Sequence, residues 1–218
     1  MSNNDNNIEK RSFEAFINAI GSEIEQAQVR LISAANAQML FHYWKMGNYI
    51  LYHQNRQGWG SKVIKKLAQA IRFNYPEKKG YSIRNLAYMC QFARSYPLGT
   101  LQSFIETDVK LTNPSVRKIT DAIQSLNNVP FMQEPLAQIQ DVSQTVAAVY
   151  QMPIEDMEKL FMSSPVARIN WASHVIILNS SLPLGVEYWY MKQSVEMGWS
   201  SNVLKMQIDR TAAMQRQG

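Results

Sequence analysis

Apolar positions recur at helical intervals along most of the chain, and no segment sustains a strict apolar/polar alternation. That pattern predicts an all-α fold. The longest periodic run starts at Ser22-Glu23-Ile24-Glu25, a capping-box pattern, and continues through Ala34, Leu40, Trp44 and Ile50 to His53. It contains no proline and a single glycine, Gly47. Upstream, Ser12 is placed to cap a short helix that Gly21 ends after Ile20, with residues 1–10 expected to be a disordered tail. The long run extends on the order of 45 Å, too far for a small domain to cover by itself. It is expected to act as a spine, with a second copy of the chain as one way of covering it, although its heptads are not clean.

A helical hairpin follows. Val63, Ile64, Leu67, Ala68, Ala70 and Ile71 form an inward stripe, and Pro76 ends the helix that carries it. The turn Glu77-Lys78-Lys79-Gly80 supplies a glycine able to take positive φ, and Ser82 stands where the next helix needs an N-cap. In that helix Ile83, Leu86, Cys90 and Ala93 form the predicted inward row, while Arg84, Asn85, Tyr88 and Gln91 lie opposite. A helix-turn-helix presents its second helix in this way, with first-turn side chains at base edges.

Beyond it, helices are expected at Leu98 to Glu106, Asn113 to Leu126, from Pro153 onward, at Ile169 to Asn179, Gly185 to Met197 and Ser200 to Gln215. Residues 127–145, with two prolines and much glutamine and asparagine, read as a weakly structured connection. The organisation this implies is a tail (1–10), a long helix plus helix-turn-helix-like unit (11–100), an irregular helical insert (101–164) and C-terminal helices packing back on the first unit (165–218). A weak internal echo joins Gly58-Trp59-Gly60-Ser61-Lys62-Val63 to Gly198-Trp199-Ser200-Ser201-Asn202-Val203. Each copy reads as a helix ended by glycine, a tryptophan over the joint and a serine capping the next helix.

Charge changes the picture at one place. Between Arg56 and Arg94 there are nine basic residues and one acid, Glu77, a local net of +8 in a chain whose total is +5. A basic excess confined to one helical pair, beside aromatics, is the composition of a surface that meets phosphates. The candidate DNA contacts are Lys62, Lys65, Lys66, Arg72, Lys78, Lys79, Ser82, Arg84, Asn85, Tyr88, Gln91 and Arg94. By side-chain type Arg84 is the candidate to pair with guanine, and Asn85 or Gln91 with adenine, a role the spacing is compatible with but does not establish.

One cysteine excludes an internal disulfide and agrees with a reducing compartment. The N-terminus is polar and no window approaches 18 uninterrupted apolar residues, so a cytoplasmic protein without a membrane partner is expected.

Several of these motifs occur together in a known family. Tyr43-Trp44-Lys45-Met46-Gly47, Gly58-Trp59-Gly60-Ser61-Lys62-Val63-Ile64 and Gly80-Tyr81-Ser82-Ile83-Arg84-Asn85-Leu86 make the first part of the match. Tyr88-Met89-x-Gln91-Phe92, Trp171-x-Ser173-His174, Tyr188-Trp189 and Gly198-Trp199-Ser200 complete it. Over about residues 25–100 and 165–212 the chain resembles the N-terminal domain of the YhcG-like bacterial proteins. Members of that family typically carry a PDDEXK-type nuclease domain after this one. The resemblance implies a DNA-associated, helix-turn-helix-like front domain, linked to restriction or mobile-element systems. The nuclease domain would begin where this sequence ends, at Gly218.

Catalytic chemistry finds little support within these residues, and no cofactor is implied. The nearest imitation of a nuclease acid–lysine set, Asp108-Val109-Lys110, reads as a loop without strands around it. Glu155, Asp156 and Glu158 fall in the first turn of a predicted helix, where acids favour the helix dipole. His42 and His53 share a helix face but sit about 16 Å apart, too far to hold one metal ion. His174 is expected to be a hydrogen-bonded, partly buried histidine, and Cys90 a small apolar residue. Trp59, Trp171, Trp189 and Trp199 are expected at helix corners in the core. The sequence therefore favours a non-catalytic DNA-binding module that positions a nuclease domain. The alternative is a helical oligomerisation or protein-interaction scaffold of a nuclease-associated complex.

Overall fold

The computed structural model describes residues 2–57, 62–108 and 142–215. Among them every regular element is helical: α1 (Ser2–Gln57), α2 (Lys62–Asn74), α3 (Ile83–Ser95), α4 (Leu98–Asp108), α5 (Val142–Tyr150), α6 (Ile154–Ser163), a 3₁₀ turn (Pro165–Ala167), α7 (Trp171–Asn179), α8 (Leu184–Glu196) and α9 (Ser201–Gln215). The all-α expectation holds. No helix among the described residues is long and apolar enough to cross a membrane. The helix expected from Asn113 lies outside the described residues, as do residues 127–141 and the Gly58–Ser61 corner.

α1 is one uninterrupted helix, about 84 Å long at 1.5 Å per residue. It begins at Ser2, not at Ser12, and it passes through Gly21 without a break. Neither Ser12 nor Ser22 is a cap; the Ser22 hydroxyl instead accepts from Gln26 Nε2 at 3.1 Å, one turn along. The two halves of α1 live in different surroundings. None of residues 10–35 is buried. From Asn36, whose Nδ2 donates to the Ile169 carbonyl at 3.0 Å, the helix enters the body of the molecule.

The body is built around that second half. Leu40, Phe41 and Trp44 meet Phe92, Ala93 and Tyr96 from α3, Leu101, Phe104 and Ile105 from α4, and Met157, Leu160 and Phe161 from α6. Trp44 is fully buried and its Nε1–H donates to the Tyr96 carbonyl at 2.8 Å. Between Phe41, Phe161 and Tyr150 the indole meets rings on three sides. Burying a side chain of this size is among the larger single contributions a core can receive.

A second, smaller cluster joins α2 to the rest. Ile50, Ala68, Leu86, Met89 and Cys90 are buried together, with Ile64, Leu67 and Ile71 of α2 half-buried against them. The closest approach is at Gly47, where a Cβ would stand 2.0 Å from the Met89 carbonyl oxygen and 2.8 Å from the Ala93 Cβ. Only glycine lets α1 and α3 come this near.

Several sequence expectations change. The connection expected to stay weakly structured as far as residue 145 already contains the start of α5 at Val142. α4 runs to Asp108, so the first residue of the Asp108-Val109-Lys110 set belongs to a helix, while Val109 and Lys110 lie outside the described residues. The Asp108 carboxylate binds Lys192 Nζ at 2.9 Å and Arg168 Nη1 at 3.6 Å, and accepts from the Tyr188 hydroxyl at 3.2 Å. Though partial burial disfavours its charged form, these partners hold its pKa below the usual carboxylate value. This acid fastens α4 to α8 and to the segment after the 3₁₀ turn. Trp189, expected in the core, is half exposed, while Trp199 packs on the core and Trp171 lies between the two clusters. The second copy of the echo has the expected corner: Gly198 has φ +62°, and Ser200 Oγ accepts from Val203 N at 3.3 Å.

Candidate nucleic-acid interface

α2 separates its residues cleanly. Ile64, Leu67, Ala68 and Ile71 pack toward α1 and α3, Val63 is half-buried, and Ala70, expected in the same stripe, is exposed. Lys62, Lys65, Lys66, Gln69 and Arg72 form an exposed row at i, i+3, i+4 spacing. The helix stops at Asn74, two residues before Pro76. The turn then carries Lys78 and Lys79, both exposed, and Gly80 at φ +95°. The Tyr81 hydroxyl and His42 Nε2 share a hydrogen bond of 2.8 Å, which ties the turn to α1. Burial, with Lys45 nearby, holds His42 below its ordinary pKa, so this contact is made by neutral imidazole at physiological pH.

Ser82 caps α3 as expected, its Oγ accepting from Asn85 N at 3.2 Å. Leu86, Cys90 and Ala93 are buried, but Ile83, expected in the same inward row, is 48% exposed. It falls in the first turn of α3, ahead of the residues that α1 covers. Arg84 is exposed and bound to no carboxylate among the described residues; its Nη2 reaches the Tyr88 hydroxyl at 3.4 Å. That guanidinium, with the Asn179 amide, lowers the pKa of the Tyr88 phenol.

The face of α3 expected to be free is largely taken by α7. Trp171 Nε1–H donates to Asn85 Oδ1 at 2.8 Å, and Asn85 Nδ2 donates to the Gly80 carbonyl. Gln91 Nε2 donates to the Leu178 carbonyl at 2.9 Å, and Asn179 Nδ2 to the Tyr88 hydroxyl at 2.9 Å. Asn85, Tyr88 and Gln91 thus stand together on α3, half-buried and hydrogen-bonded within the fold. What stays open is a set of cations: Lys62, Lys65, Lys66, Arg72, Lys78, Lys79, Arg84 and Arg94 are all exposed. The only salt bridge among these within the described residues is Lys78–Glu77 at 3.9 Å, between side chains about two-thirds exposed, and it neutralises little.

The family model of the DUF1016 N-terminal domain matches residues 19–134. The chain belongs to this family. Membership agrees with the YhcG-like resemblance, and the matched span contains the whole α2–turn–α3 unit of this DUF1016 N-terminal domain. α7, which covers one face of α3, lies beyond that span. No curated protein and no solved structure matches the chain.

Two residues of the DUF1016 N-terminal domain's basic surface escaped the sequence reading. Phe73 is 86% exposed and Tyr75 56% exposed, between Arg72 and the lysines of the turn. The signal was present in the helical register. Phe73 follows Lys62, Lys66 and Gln69 around α2 and falls off the apolar stripe, so an aromatic ring there points away from the core.

Asn85→Ala is expected to act on stability. It leaves the Trp171 N–H and the Gly80 carbonyl without their partners and should cost about 1–3 kcal/mol in a chemical-denaturation experiment. A variant of unchanged stability would show that these two bonds hold nothing together.

Proposed function

We propose that this chain is a non-catalytic DNA-binding module, gripping the phosphate backbone through the exposed row of α2, the Lys78-Lys79 turn and Arg84 at the tip of α3, and delivering a nuclease domain of PDDEXK type to DNA. The observation that carries the reading is the charge: eight exposed cations on one helical hairpin, with Glu77 the only acid in the interval. Such a surface accumulates polyanions at low salt and releases counterions on binding. Phe73 and Tyr75 add rings beside the cations, on which an unpaired base could stack. Because Asn85 and Gln91 are committed to α7, base-edge contact falls mainly to Arg84, and the reading favours backbone contact with modest sequence preference. The supposition that the nuclease acts from another domain rests on the family resemblance. Asp108, the nearest imitation of a metal-binding acid, is taken up by Lys192 and Arg168.

A mobility-shift titration across a salt series tests it. Affinity should fall steeply with salt, and the triple reversal Lys65→Glu, Lys66→Glu, Lys79→Glu should cut it at least tenfold, to about a hundredfold, while flattening the salt dependence by about three counterions. Arg84→Ala should relax sequence preference, and Lys65→Ala should weaken all duplexes alike. Absence of binding at low salt, or binding indifferent to the triple reversal, removes the proposal. A second reading, a protein-interaction scaffold, is favoured by the apolar side chains exposed on the first half of α1, among them Phe13, Phe16, Ile17 and Leu31.

A further inference from the structure

The exposed half of α1 carries one continuous apolar line. Phe13, Ile17, Ile20, Ile24, Ala27, Leu31 and Ala34 recur at alternating intervals of four and three residues, the spacing of a coiled-coil seam. Along this seam Phe13 is 62% exposed, Ile17 50%, Ile20 45%, Ile24 54% and Leu31 71%. No other described element covers them, although the segment is continuous with the buried half of the same helix. Five large apolar side chains in one line are an unsatisfied surface of the kind that partners cover. Phe16, Val29 and Ile32 are also exposed but lie off the seam.

We propose that residues 13–34 of α1 pair with the same segment of a second copy as an antiparallel two-stranded coiled coil. The proposal stands independently of DNA binding. Three features of the segment fix the partner and its direction. The first is volume. In the antiparallel register centred between Ile24 and Ala27, Ile24 faces Ala27 of the other copy, Ile17 faces Ala34, and Ile20 faces Leu31, so every layer contains at least one large side chain. A parallel pair would stack Ala27 on Ala27 and Ala34 on Ala34, leaving two layers nearly empty, and unfilled core volume is costly.

The second is charge. Glu23 and Arg30 flank the seam on the same side, and within one chain they already form an ion pair of 2.6 Å. In the antiparallel register Glu23 of each copy comes beside Arg30 of the other, two reciprocal attractive pairs; in a parallel pair Glu23 meets Gln28 and Arg30 meets Ala35. The third is room. The seam runs for about 33 Å and the bodies begin only at Asn36, so antiparallel packing puts them at opposite ends; residues 2–12 of each helix, which reach past the seam, must bend away from the other copy's body.

The test uses the full chain without DNA. Sedimentation equilibrium over a concentration series should give a monomer–dimer equilibrium, and Ile20→Glu with Ile24→Glu should weaken it at least tenfold, since the seam would have to bury charge. Both positions are exposed in the single chain, so at concentrations where the parent is monomeric the melting temperature of the body should not move. For direction, chains carrying Ile17→Cys and Ala34→Cys are mixed and oxidised; the native Cys90 is buried. The mixed 17–34 disulfide should dominate. A monomer at all concentrations, a dimer unaffected by the two glutamates, or a predominance of 17–17 and 34–34 disulfides would each overturn the proposal.

Discussion

Gly47→Ala is expected to lower the stability of the body by about 2–4 kcal/mol. A methyl group at this position would meet the Met89 carbonyl oxygen at 2.0 Å and the carbonyl carbon at 2.6 Å. These are backbone atoms inside α3, and they cannot swing aside as a side-chain tip would. α1 and α3 must therefore separate, loosening contacts on both sides of the joint. Overpacking commonly costs about 1–3 kcal/mol, and a rigid obstacle puts this case toward or past the upper end. The better helix propensity of alanine returns at most about 1 kcal/mol. Gly21→Ala is the control, because nothing lies within 4 Å of its added methyl. Denaturant titration should show a clear loss for the first variant, and circular dichroism a small gain in helicity for the second. Equal behaviour of the two would mean that α1 and α3 are not in contact at Gly47.

Acidification from pH 7 to pH 4 should remove about 3 kcal/mol of stability through His174 alone. This side chain is fully buried, with rings of Phe92 and Tyr96 against it. Its Nε2 donates to the Val166 carbonyl at 2.7 Å, and its Nδ1 has no hydrogen-bond partner. A second proton would go onto that nitrogen, in apolar surroundings, so burial pushes the pKa down to about 4. Between about 6.5 and about 4 the unfolded chain binds a proton that the folded chain refuses, so stability falls as pH falls across that window and levels off below it. Burial holds His42 and His53 below their ordinary values too, and both add in the same direction. Glu187, raised by burial beside Tyr96, runs the other way. Comparing the pH dependence of unfolding in the parent with that in His174→Gln isolates the one group. The slope, not the absolute stability, is the readout, and an unchanged slope would show that His174 is hydrated.

The helical elements near the basic hairpin were legible because each boundary has a local cause. Pro76 ends α2, Gly80 takes positive φ, and the Ser82 hydroxyl caps α3. The C-terminal helices were legible to within two residues at their ends; Asn170, by accepting from Ser173 N, starts α7 at Trp171 and not at Ile169. Gly21 misled because a lone glycine costs a helix only about 1 kcal/mol and stops it only when the chain also turns there. The fate of the polar residues on α3 could not be read locally. A glutamine bound to a carbonyl 87 positions away, as Gln91 is, looks the same in sequence as one facing water. The exposed charges were the easier part, since a lysine row opposite an apolar stripe has few alternatives to solvent.

The continuity of α1 sets a length scale for assembly. Tyr81 meets His42, so the tip of α3 stands beside that point of the long helix, some sixteen residues beyond the middle of the seam. With no break between the two, a pair joined antiparallel would hold its two basic tips about 50 Å apart along the rod. One turn of B-DNA is about 34 Å, and the same groove face returns only at such multiples. If the basic tips bind DNA and the chain pairs as proposed, a spacing midway between one turn and two would suit holding separate double helices side by side better than reading adjoining palindromic halves.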